Sequence, residues 1–241
     1  MISLRYSRLA SLREIGVSGL DLIRSARVVV IGVGGTGSLV SDLLARNGVG
    51  HLRLVDGDSI DISNIHRQIL FDGDDLGKNK AVVAAEKIRA SGSDSVVEAV
   101  DSFIDGRNAE KLLAGADILI DGTDNFKARR EINRVAVRKG IPWIFQSAIG
   151  TVSQVKAIVP GRTSCFACLK IPESAEEATC QEFGILPSAP YISSSIAFSL
   201  ALKLITRQPV SGDLIYFDSW NQQTSSIRVE RDPSCPVCGS L

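Results

Sequence analysis

Four cysteines in two C-x-x-C pairs are the strongest local signal in the sequence. Cys165 and Cys168 form one pair, and Cys235 and Cys238 form the other. Four thiolates in two such turns suit a tetrahedral structural zinc ion, because four protein ligands leave no open position for catalysis. Two disulfides or four unrelated buried cysteines are the alternatives, and a cytosolic chain disfavours both. The spacing predicts a zinc site that ties the C-terminal tail to the body of the protein.

A second group of residues has the chemistry to act on phosphates: Asp56, Asn64, Arg67, Lys80 and Asp124. Cations directed at a bound nucleotide suit chemistry at phosphorus, where charge develops on the phosphoryl oxygens. A carboxylate beside them could hold magnesium. Each residue alone is an ordinary surface charge. A hydride-transferring dehydrogenase would need few of them, so the group favours chemistry on a nucleotide phosphate.

The elements that must position these residues centre on a glycine loop over residues 32–37, Gly-Val-Gly-Gly-Thr-Gly. An apolar, β-branched run over 27–31 leads into the loop and predicts a buried strand. Apolar residues at helical spacing follow over 38–47. In this context a glycine-rich pattern predicts a phosphate site at a helix N-terminus. A tight turn without a ligand is the alternative.

The rest of the chain predicts a mixed sheet. Further strands are predicted at 51–56, 96–100, 116–120, 143–146, 151–159, 214–217 and 225–229, and helices at 1–24, 78–90, 108–114, 129–139 and 197–206. Strands alternate with helices up to residue 146, which predicts a mostly parallel sheet. The next strand follows too closely for a crossover and should be antiparallel. The fold class is therefore α/β, a Rossmann-like sheet extended by antiparallel strands and a C-terminal four-cysteine zinc site.

The composition excludes several classes of protein. Among 241 residues 44% are hydrophobic, and 27 Lys plus Arg balance 27 Asp plus Glu. Zero net charge gives no reason to expect non-specific binding to nucleic acid or membranes. No stretch is expected to span a bilayer, and residues 1–16 do not read as a signal peptide. Five cysteines in such a chain indicate a reducing compartment, so a cytoplasmic location is expected.

The order of these motifs is that of a known family. The glycine loop, the run Ser-Asn-Ile-His-Arg-Gln over 63–68, Lys80, the run Thr-Asp-Asn over 123–125 and both cysteine pairs occur in sequence. The chain resembles the ThiF/MoeB/HesA family, prokaryotic relatives of ubiquitin-activating enzymes, from Arg5 to Cys238. The resemblance implies an adenylyltransferase that uses ATP and magnesium. Its substrate would be the C-terminal glycine of a small ubiquitin-like or sulfur-carrier protein ending in Gly-Gly, and it would work as a homodimer.

The resemblance also implies roles for single residues. Nucleotide-binding positions would be Gly32, Gly34, Gly35, Gly37, Asp56, Asp58, Asn64, Arg67, Lys80, Asp124 and Asn125. Among these, Asp56 would bind the ribose, and Asn64, Arg67 and Lys80 would grip the triphosphate. Asp124 would place magnesium. Arg8 matches an arginine that reaches into the neighbouring subunit's site.

Cys180 matches a position at which the family carries a cysteine able to bond covalently to the activated partner. A spare thiol is the alternative, and neighbouring acids such as Glu182 would raise rather than lower its pKa. The segment 190–200 departs from the family, which usually carries glycines and a Gln-Ala-x-Glu stretch there. The partner therefore stays open, as does the product pathway: molybdopterin, thiamine, thiolated tRNA or protein conjugation. A sulfur donor would be a separate protein.

One domain over 1–241 is predicted, with a nucleotide-binding part at about 25–147 and a partner-binding and zinc part at about 148–241. Three rival interpretations stay open. An NAD-dependent oxidoreductase needs the glycine loop and Asp56 but leaves Arg67, Lys80, Asp124 and the zinc site unexplained. A non-catalytic scaffold subunit would not need those side chains. Neutral charge and the complete cysteine quartet disfavour the family's tRNA-modifying dehydratase branch.

Overall fold

The computed structural model describes residues 4–172 and 180–241, without the side chains of residues 180 and 181. The strands of this part are β1 (Arg27–Ile31), β2 (His51–Val55), β3 (Val96–Val100), β4 (Ile118–Asp121), β5 (Trp143–Ile149), β6 (Val152–Ile158), β7 (Leu214–Asp218) and β8 (Gln223–Ile227). They form one sheet in the order β3-β2-β1-β4-β5-β6-β7-β8. Pairing is parallel from β3 to β5 and antiparallel from β5 to β8. The predicted fold class is confirmed.

Helices cover both faces of the sheet. They are α1 (Ser7–Ala10), α2 (Gly16–Ser25), α3 (Gly35–Arg46), α4 (Lys80–Ala90), α5 (Ala109–Leu113), α6 (Phe126–Lys139), α7 (Cys180–Phe183) and α8 (Ser188–Ile205). Side chains of a strand alternate between the faces. Val28 of β1 packs in one core with Leu44 of α3 and Ala201 of α8. Val29 points to the other face, into a core with Ile132 of α6 and the four paired cysteines.

Helix α8 begins at Ser188, well before the predicted start at residue 197, so that part of the prediction was wrong. Pro190 is tolerated because it lies in the first turn, where a backbone N–H has no intrahelical acceptor. The serines that follow bond back to the helix instead of breaking it. Ser194 Oγ donates to the Pro190 carbonyl at 2.7 Å and Ser195 Oγ to the Tyr191 carbonyl at 2.8 Å.

The longer α8 also corrects the expectation that no segment could span a bilayer. Over Ser188–Ile205 its mean hydropathy is 1.2, and it is long and apolar enough to cross a membrane by length and composition alone. The fold uses it as a core helix, with Ala197 and Ala201 fully buried against the sheet. An apolar helix that covers a sheet face needs this composition without any membrane.

Candidate active site

The glycine loop and the end of β4 meet through backbone atoms alone. Gly32 has a φ of +81°, and a Cβ on it would lie 2.5 Å from the Gly122 carbonyl oxygen. A Cβ on Gly122 would lie 2.3 Å from the Gly32 carbonyl oxygen and 2.9 Å from Gly37 Cα. No side chain fits at these three positions, because each would overlap backbone. The loop after β1 is thus packed directly on the loop after β4.

Two other glycines of the loop could carry a Cβ that makes only ordinary van der Waals contacts. A Cβ on Gly34 would meet its first neighbour, Gln68 Nε2, at 3.6 Å, and one on Gly35 would lie 3.6 Å from Arg67 Cδ. Gly34 caps α3, so the free N–H groups of the first turn lie here. A helix N-terminus without a side chain over it can take a phosphate group. Arg67 lies beside that position.

Asp56 follows β2 and is tied to the same loop. Its Oδ2 accepts the Val33 N–H at 2.6 Å, and its Oδ1 accepts the Asp58 N–H at 2.9 Å. Burial raises the pKa of Asp56 above the ordinary value, against the lowering effect of these two hydrogen bonds and of Lys80. The two N–H donors fix the carboxylate, and each oxygen keeps a lone pair for a further donor such as a ribose hydroxyl.

Asn64 is held in one orientation by two side chains. Its Oδ1 accepts hydrogen bonds from Arg67 Nη2 at 2.9 Å and from Gln68 Nε2 at 3.1 Å. The amide nitrogen is therefore left to donate. Arg67 is fixed further by the Ser63 carbonyl, which accepts from its Nη1 at 3.0 Å. The result is a rigid pair of donors beside the N-terminus of α3.

Lys80 is buried in the first turn of α4, and its Nζ lies 2.6 Å from Asp58 Oδ2. Asn79 caps this helix by accepting the Val82 N–H at 3.1 Å and donates to the Asp56 carbonyl at 3.0 Å. The ammonium is thus aimed at the carboxyl edge of β2. Asp58, predicted as a nucleotide ligand, is here the partner that holds Lys80.

Asp124 and Asn125 follow β4, and both are exposed. The Oδ1 of Asn125 caps α6 by accepting the Ala128 N–H at 2.8 Å, so this oxygen is already used within the protein. Below them lies an ion pair between Arg129 Nε and Asp121 Oδ2 at 2.9 Å, with Asp121 fully buried. Arg129 Nη2 also donates to the Thr123 carbonyl at 2.6 Å. This pair fixes the backbone that carries Asp124.

The predicted site residues of strands β1, β2 and β4 thus share the carboxyl edge of the sheet, where ligands bind in doubly wound folds. The sequence predicted no role for the side chains that orient them, which are the buried Gln68, Asp121 and Arg129 and the partly buried Asn79. A charge at the end of an apolar strand and another one helical turn into α6 were the available signals. These two charges, on Asp121 and Arg129, indicated a role only once the structure showed that they form an ion pair.

Arg8 is not part of this cluster. The neighbouring Tyr6 ring lies against Gly48, which follows α3, and its hydroxyl donates to Asp94 Oδ2 at 2.9 Å. Helix α3 runs from the glycine loop to this point, and its 12 residues span about 18 Å. Arg8, exposed on α1, therefore lies at the far edge of the sheet from its own glycine loop. The Cys180 side chain lies outside the described residues.

The two cysteine pairs lie together. The Sγ atoms of Cys165, Cys168, Cys235 and Cys238 are all within 4.8 Å of one another, and all four residues are buried. Four buried sulfurs at this spacing fit a tetrahedral zinc ion, with Zn–S distances of about 2.3 Å. Burial raises the pKa of the Cys165 and Cys238 thiols, so a metal ion must displace their protons.

Side chains around the cluster hold its sulfurs in place. Asn133 Nδ2 donates to Cys165 Sγ at 3.6 Å, and Asn133 Oδ1 accepts the Phe166 N–H at 3.0 Å. Lys156 of β6 is fully buried on the same side and donates to the Gly212 carbonyl. Such outer contacts orient metal ligands. The C-terminal cysteine pair lies against the first pair, with Cys165 Sγ 3.7 Å from Cys235 Sγ and Cys168 Sγ 3.5 Å from Cys238 Sγ.

A glycine loop, a fixed carboxylate after β2 and a set of aligned cations define a Rossmann-like nucleotide-binding protein with a site for phosphate chemistry. The sequence matches the ThiF family over residues 6–237. The chain belongs to the ThiF family.

Several characterised proteins are similar over nearly the whole chain. The sulfur carrier protein ThiS adenylyltransferase of Bacillus subtilis is 34% identical over 240 residues, covering 98% of this chain and 71% of the relative. The SAMP-activating enzyme E1 of Haloferax volcanii is 35% identical, covering 98% and 88%. A crystal structure of E. coli MccB with ATP superposes with a TM-score of 0.86 at 27% identity, covering 99% of this chain and 75% of that one.

Proposed function

We propose that this protein is an ATP-dependent adenylyltransferase that activates the C-terminal carboxylate of a small ubiquitin-like or sulfur-carrier protein. The observation that carries the proposal is the arrangement of Asn64, Arg67 and Lys80 around a glycine loop that leaves room at the N-terminus of α3. The adenylyltransferase names of the relatives and the ATP in the MccB structure support it.

The chemistry follows from these groups. The partner's carboxylate oxygen attacks the α-phosphorus of ATP, the bond to the bridging oxygen breaks, and pyrophosphate leaves. Arg67, Lys80 and the amide of Asn64 offset the negative charge that develops on the phosphates, and Asp56 holds the ribose. Magnesium, which Asp124 would hold, neutralises phosphate charge when it is bound. The reaction needs no nucleophilic side chain from this protein.

Exchange of labelled pyrophosphate into ATP tests this function. Small proteins that end in Gly-Gly are first captured with the protein in the presence of ATP, and each is then supplied as the acceptor. Exchange should require the partner's last glycine, so the same partner without that residue is the control. The proposal fails if no Gly-Gly partner supports exchange. Reduction of a nicotinamide cofactor would instead identify an oxidoreductase.

We further propose that the protein works as a homodimer in which Arg8 completes the site of the other subunit. Arg8 lies at the far edge of the sheet from its own glycine loop, which leaves a neighbouring site as its target. The outer face of α8 offers a surface for a second copy. An open apolar groove of about 520 Å³ is lined there by Pro187, Ser188, Tyr191, Ile192, Ser195 and Ile196. Apolar faces of this kind are typical of subunit interfaces.

Mixed dimers test the shared site. Arg8→Ala and Arg67→Ala chains should each be inactive alone. After subunit exchange, a mixed dimer has one site in which both arginines are intact, so part of the exchange activity should return. Subunit exchange is verified by two different affinity tags. Verified mixed dimers without activity would contradict a shared site.

Four further assignments belong to the same proposal. Adenylation uses no thiol, so Cys180→Ala should leave pyrophosphate exchange intact; a later transfer should be blocked where Cys180 forms a covalent intermediate and should survive where it is a spare thiol. The four-cysteine site holds zinc and has a structural role. Residues of about 25–147 serve the nucleotide and those of about 148–241 the partner and the metal. The proposed location of the protein is the cytoplasm, because four buried cysteines without a disulfide suit a reducing compartment.

A further inference from the structure

The order of the strands gives a direction to a bound nucleotide. Phosphates belong at the glycine loop after β1, and the ribose belongs at Asp56 after β2. The next strand in the same direction is β3, which pairs in parallel with β2 and ends at Val100. A nucleotide laid across this edge therefore directs its base toward the segment that follows β3.

Phe103 stands in that segment. Its side chain is 67% exposed, so burial in the core does not explain an aromatic residue here. Its ring lies against Gly57, the residue directly after Asp56. A Cβ on Gly57 would be 2.7 Å from Phe103 Cδ2 and 2.9 Å from Phe103 Cε2. The ring is therefore one residue away from the proposed ribose ligand, on the side where the base must lie.

The loop that carries the ring is fixed before any ligand binds. Asn108 Nδ2 donates to the Phe103 carbonyl at 2.8 Å, and Asn108 Oδ1 accepts the Asp105 N–H at 2.8 Å. At the start of the loop, Asn79 Nδ2 donates to Asp101 Oδ1 at 2.9 Å. Asn79 also caps α4, the helix that begins with Lys80. The same side chain thus links the aromatic loop to the phosphate side of the site.

We propose that Phe103 is the platform on which the purine base of ATP stacks, and that it gives the site its preference for a purine nucleotide over bare polyphosphate. The inference rests on the proposed ATP-dependent function. Aromatic rings bind bases through their faces, without reading hydrogen-bonding groups. Phe103 thus contributes affinity for the base and leaves the reacting phosphate to Arg67 and Lys80.

Equilibrium binding of two probes tests the platform. ATP carries the base and ribose, whereas inorganic tripolyphosphate carries only the phosphates. Phe103→Ala should weaken ATP binding about tenfold or more, the usual effect of losing one stacked base. The affinity of the Phe103→Ala variant for tripolyphosphate should equal that of wild type. Phe103→Trp should retain ATP affinity, because its ring can also stack. Trp220→Ala removes another exposed aromatic residue, on the turn between β7 and β8 at the opposite end of the sheet from β3, and should leave both affinities unchanged.

Three results would overturn the inference. Phe103→Ala could bind ATP as tightly as wild type does, or its affinity for tripolyphosphate could fall as much as its affinity for ATP. Wild type could also bind ATP no more tightly than tripolyphosphate. The pyrophosphate exchange assay separates this from the proposed function. Wild type that prefers ATP through Phe103 but shows no exchange would refute the adenylyltransferase activity alone. Wild type that exchanges pyrophosphate while Phe103→Ala binds ATP normally would refute the platform alone.

Discussion

A Cβ atom on Gly37 would lie 1.8 Å from the carbonyl oxygen of Gly32. The first turn of α3 is therefore in backbone contact with Gly32, the residue that follows β1. The contact sets the angle at which the helix leaves the strand, and with it the position of the free N–H groups over the site. It also separates the glycines of the loop into two kinds, those that serve packing and those that leave space.

Gly37→Ala should lower the free energy of unfolding by about 1–3 kcal/mol or more, because a methyl group overpacks a buried backbone contact. Gly35→Ala should change it by no more than about 0.5 kcal/mol, since its Cβ meets only ordinary contacts. Gly35→Ala should nevertheless weaken ATP binding, because the methyl group enters the space left for phosphate. Denaturant unfolding and ATP titration of both variants measure this. Equal free energies of unfolding for Gly37→Ala and Gly35→Ala would contradict the distinction between glycines that serve packing and glycines that leave space.

Asp124 and Asn125 are adjacent and exposed, but their substitution should affect different properties: activity for Asp124 and stability for Asn125. Asp124→Ala should reduce pyrophosphate exchange by about 10² or more, the usual effect of losing one preorganised charged group, while stability stays within about 0.5 kcal/mol of wild type. Asn125→Ala removes the cap of α6 and should cost about 1 kcal/mol of stability. Thermal unfolding beside the exchange assay distinguishes them. Full exchange activity in Asp124→Ala would contradict its proposed role.

The cysteine cluster predicts a metal content. Purified protein should contain about one zinc ion per chain, measured by elemental analysis. Cys238→Ser should lose most of that zinc and expose the C-terminal tail to protease, because three thiolates and a hydroxyl bind zinc more weakly. Cys180→Ser, which keeps the four clustered thiols, should retain the metal. A metal-free wild type of unchanged stability would contradict the zinc assignment.

Asp75 predicts a pH dependence of stability. Burial alone would raise the pKa of Asp75. Two hydrogen bonds, one from the Lys87 ammonium and one from the Asp72 N–H, lower it below 3.8. A lowered carboxyl pKa stabilises the folded state above pH 3.8, and the gain is lost as the pH falls through the folded pKa. Asp75→Asn should therefore be less stable than wild type at pH 7, and the difference should shrink toward zero below about pH 4.

Chemical unfolding of wild type and Asp75→Asn between pH 3 and pH 7 measures that difference. Asp74→Asn is the matched control, because the neighbouring carboxylate is exposed. It should show no such trend. A difference between wild type and Asp75→Asn that is constant over this range would show that packing of the side chain, not its charge, matters.

Strand periodicity was enough to predict the sheet. The run over 27–31 and the run over 96–100 were predicted with the boundaries that the structure has, because both are short, β-branched and bounded by turn residues. The start of α8 was missed because Pro190 and three serines read as a loop. The serine hydroxyls donate to carbonyls of the preceding turn, and Ser194 donates also to the Thr36 carbonyl of α3, which a list of residue types does not show.

For the candidate site, the sequence predicted the cysteine quartet, which the structure brings together, and a set of charged residues that stays a prediction. It did not identify how they are held. The pairing of Asp121 with Arg129 joins a strand to a helix, and the bonds to Asn64 depend on the rotamers of Arg67 and Gln68. The contact of Pro190 with the first turn of α3, where a Cβ on Gly35 would lie 3.6 Å from Pro190 Cβ, joins distant parts of the chain. Tertiary packing determines which of these residues come into contact, and residue spacing does not show it.

The four clustered thiols can come together only late in the synthesis of the chain. Cys165 meets Cys235, and Cys168 meets Cys238, across 70 residues of sequence. Every strand of the sheet is translated before the second pair leaves the ribosome. A nascent chain can therefore assemble its nucleotide half first, and a metal ion can close the cluster only once residue 238 has been made. On the proposed zinc assignment, a chain without metal would keep its sheet, and its last residues would be held to the body only by contacts other than the metal.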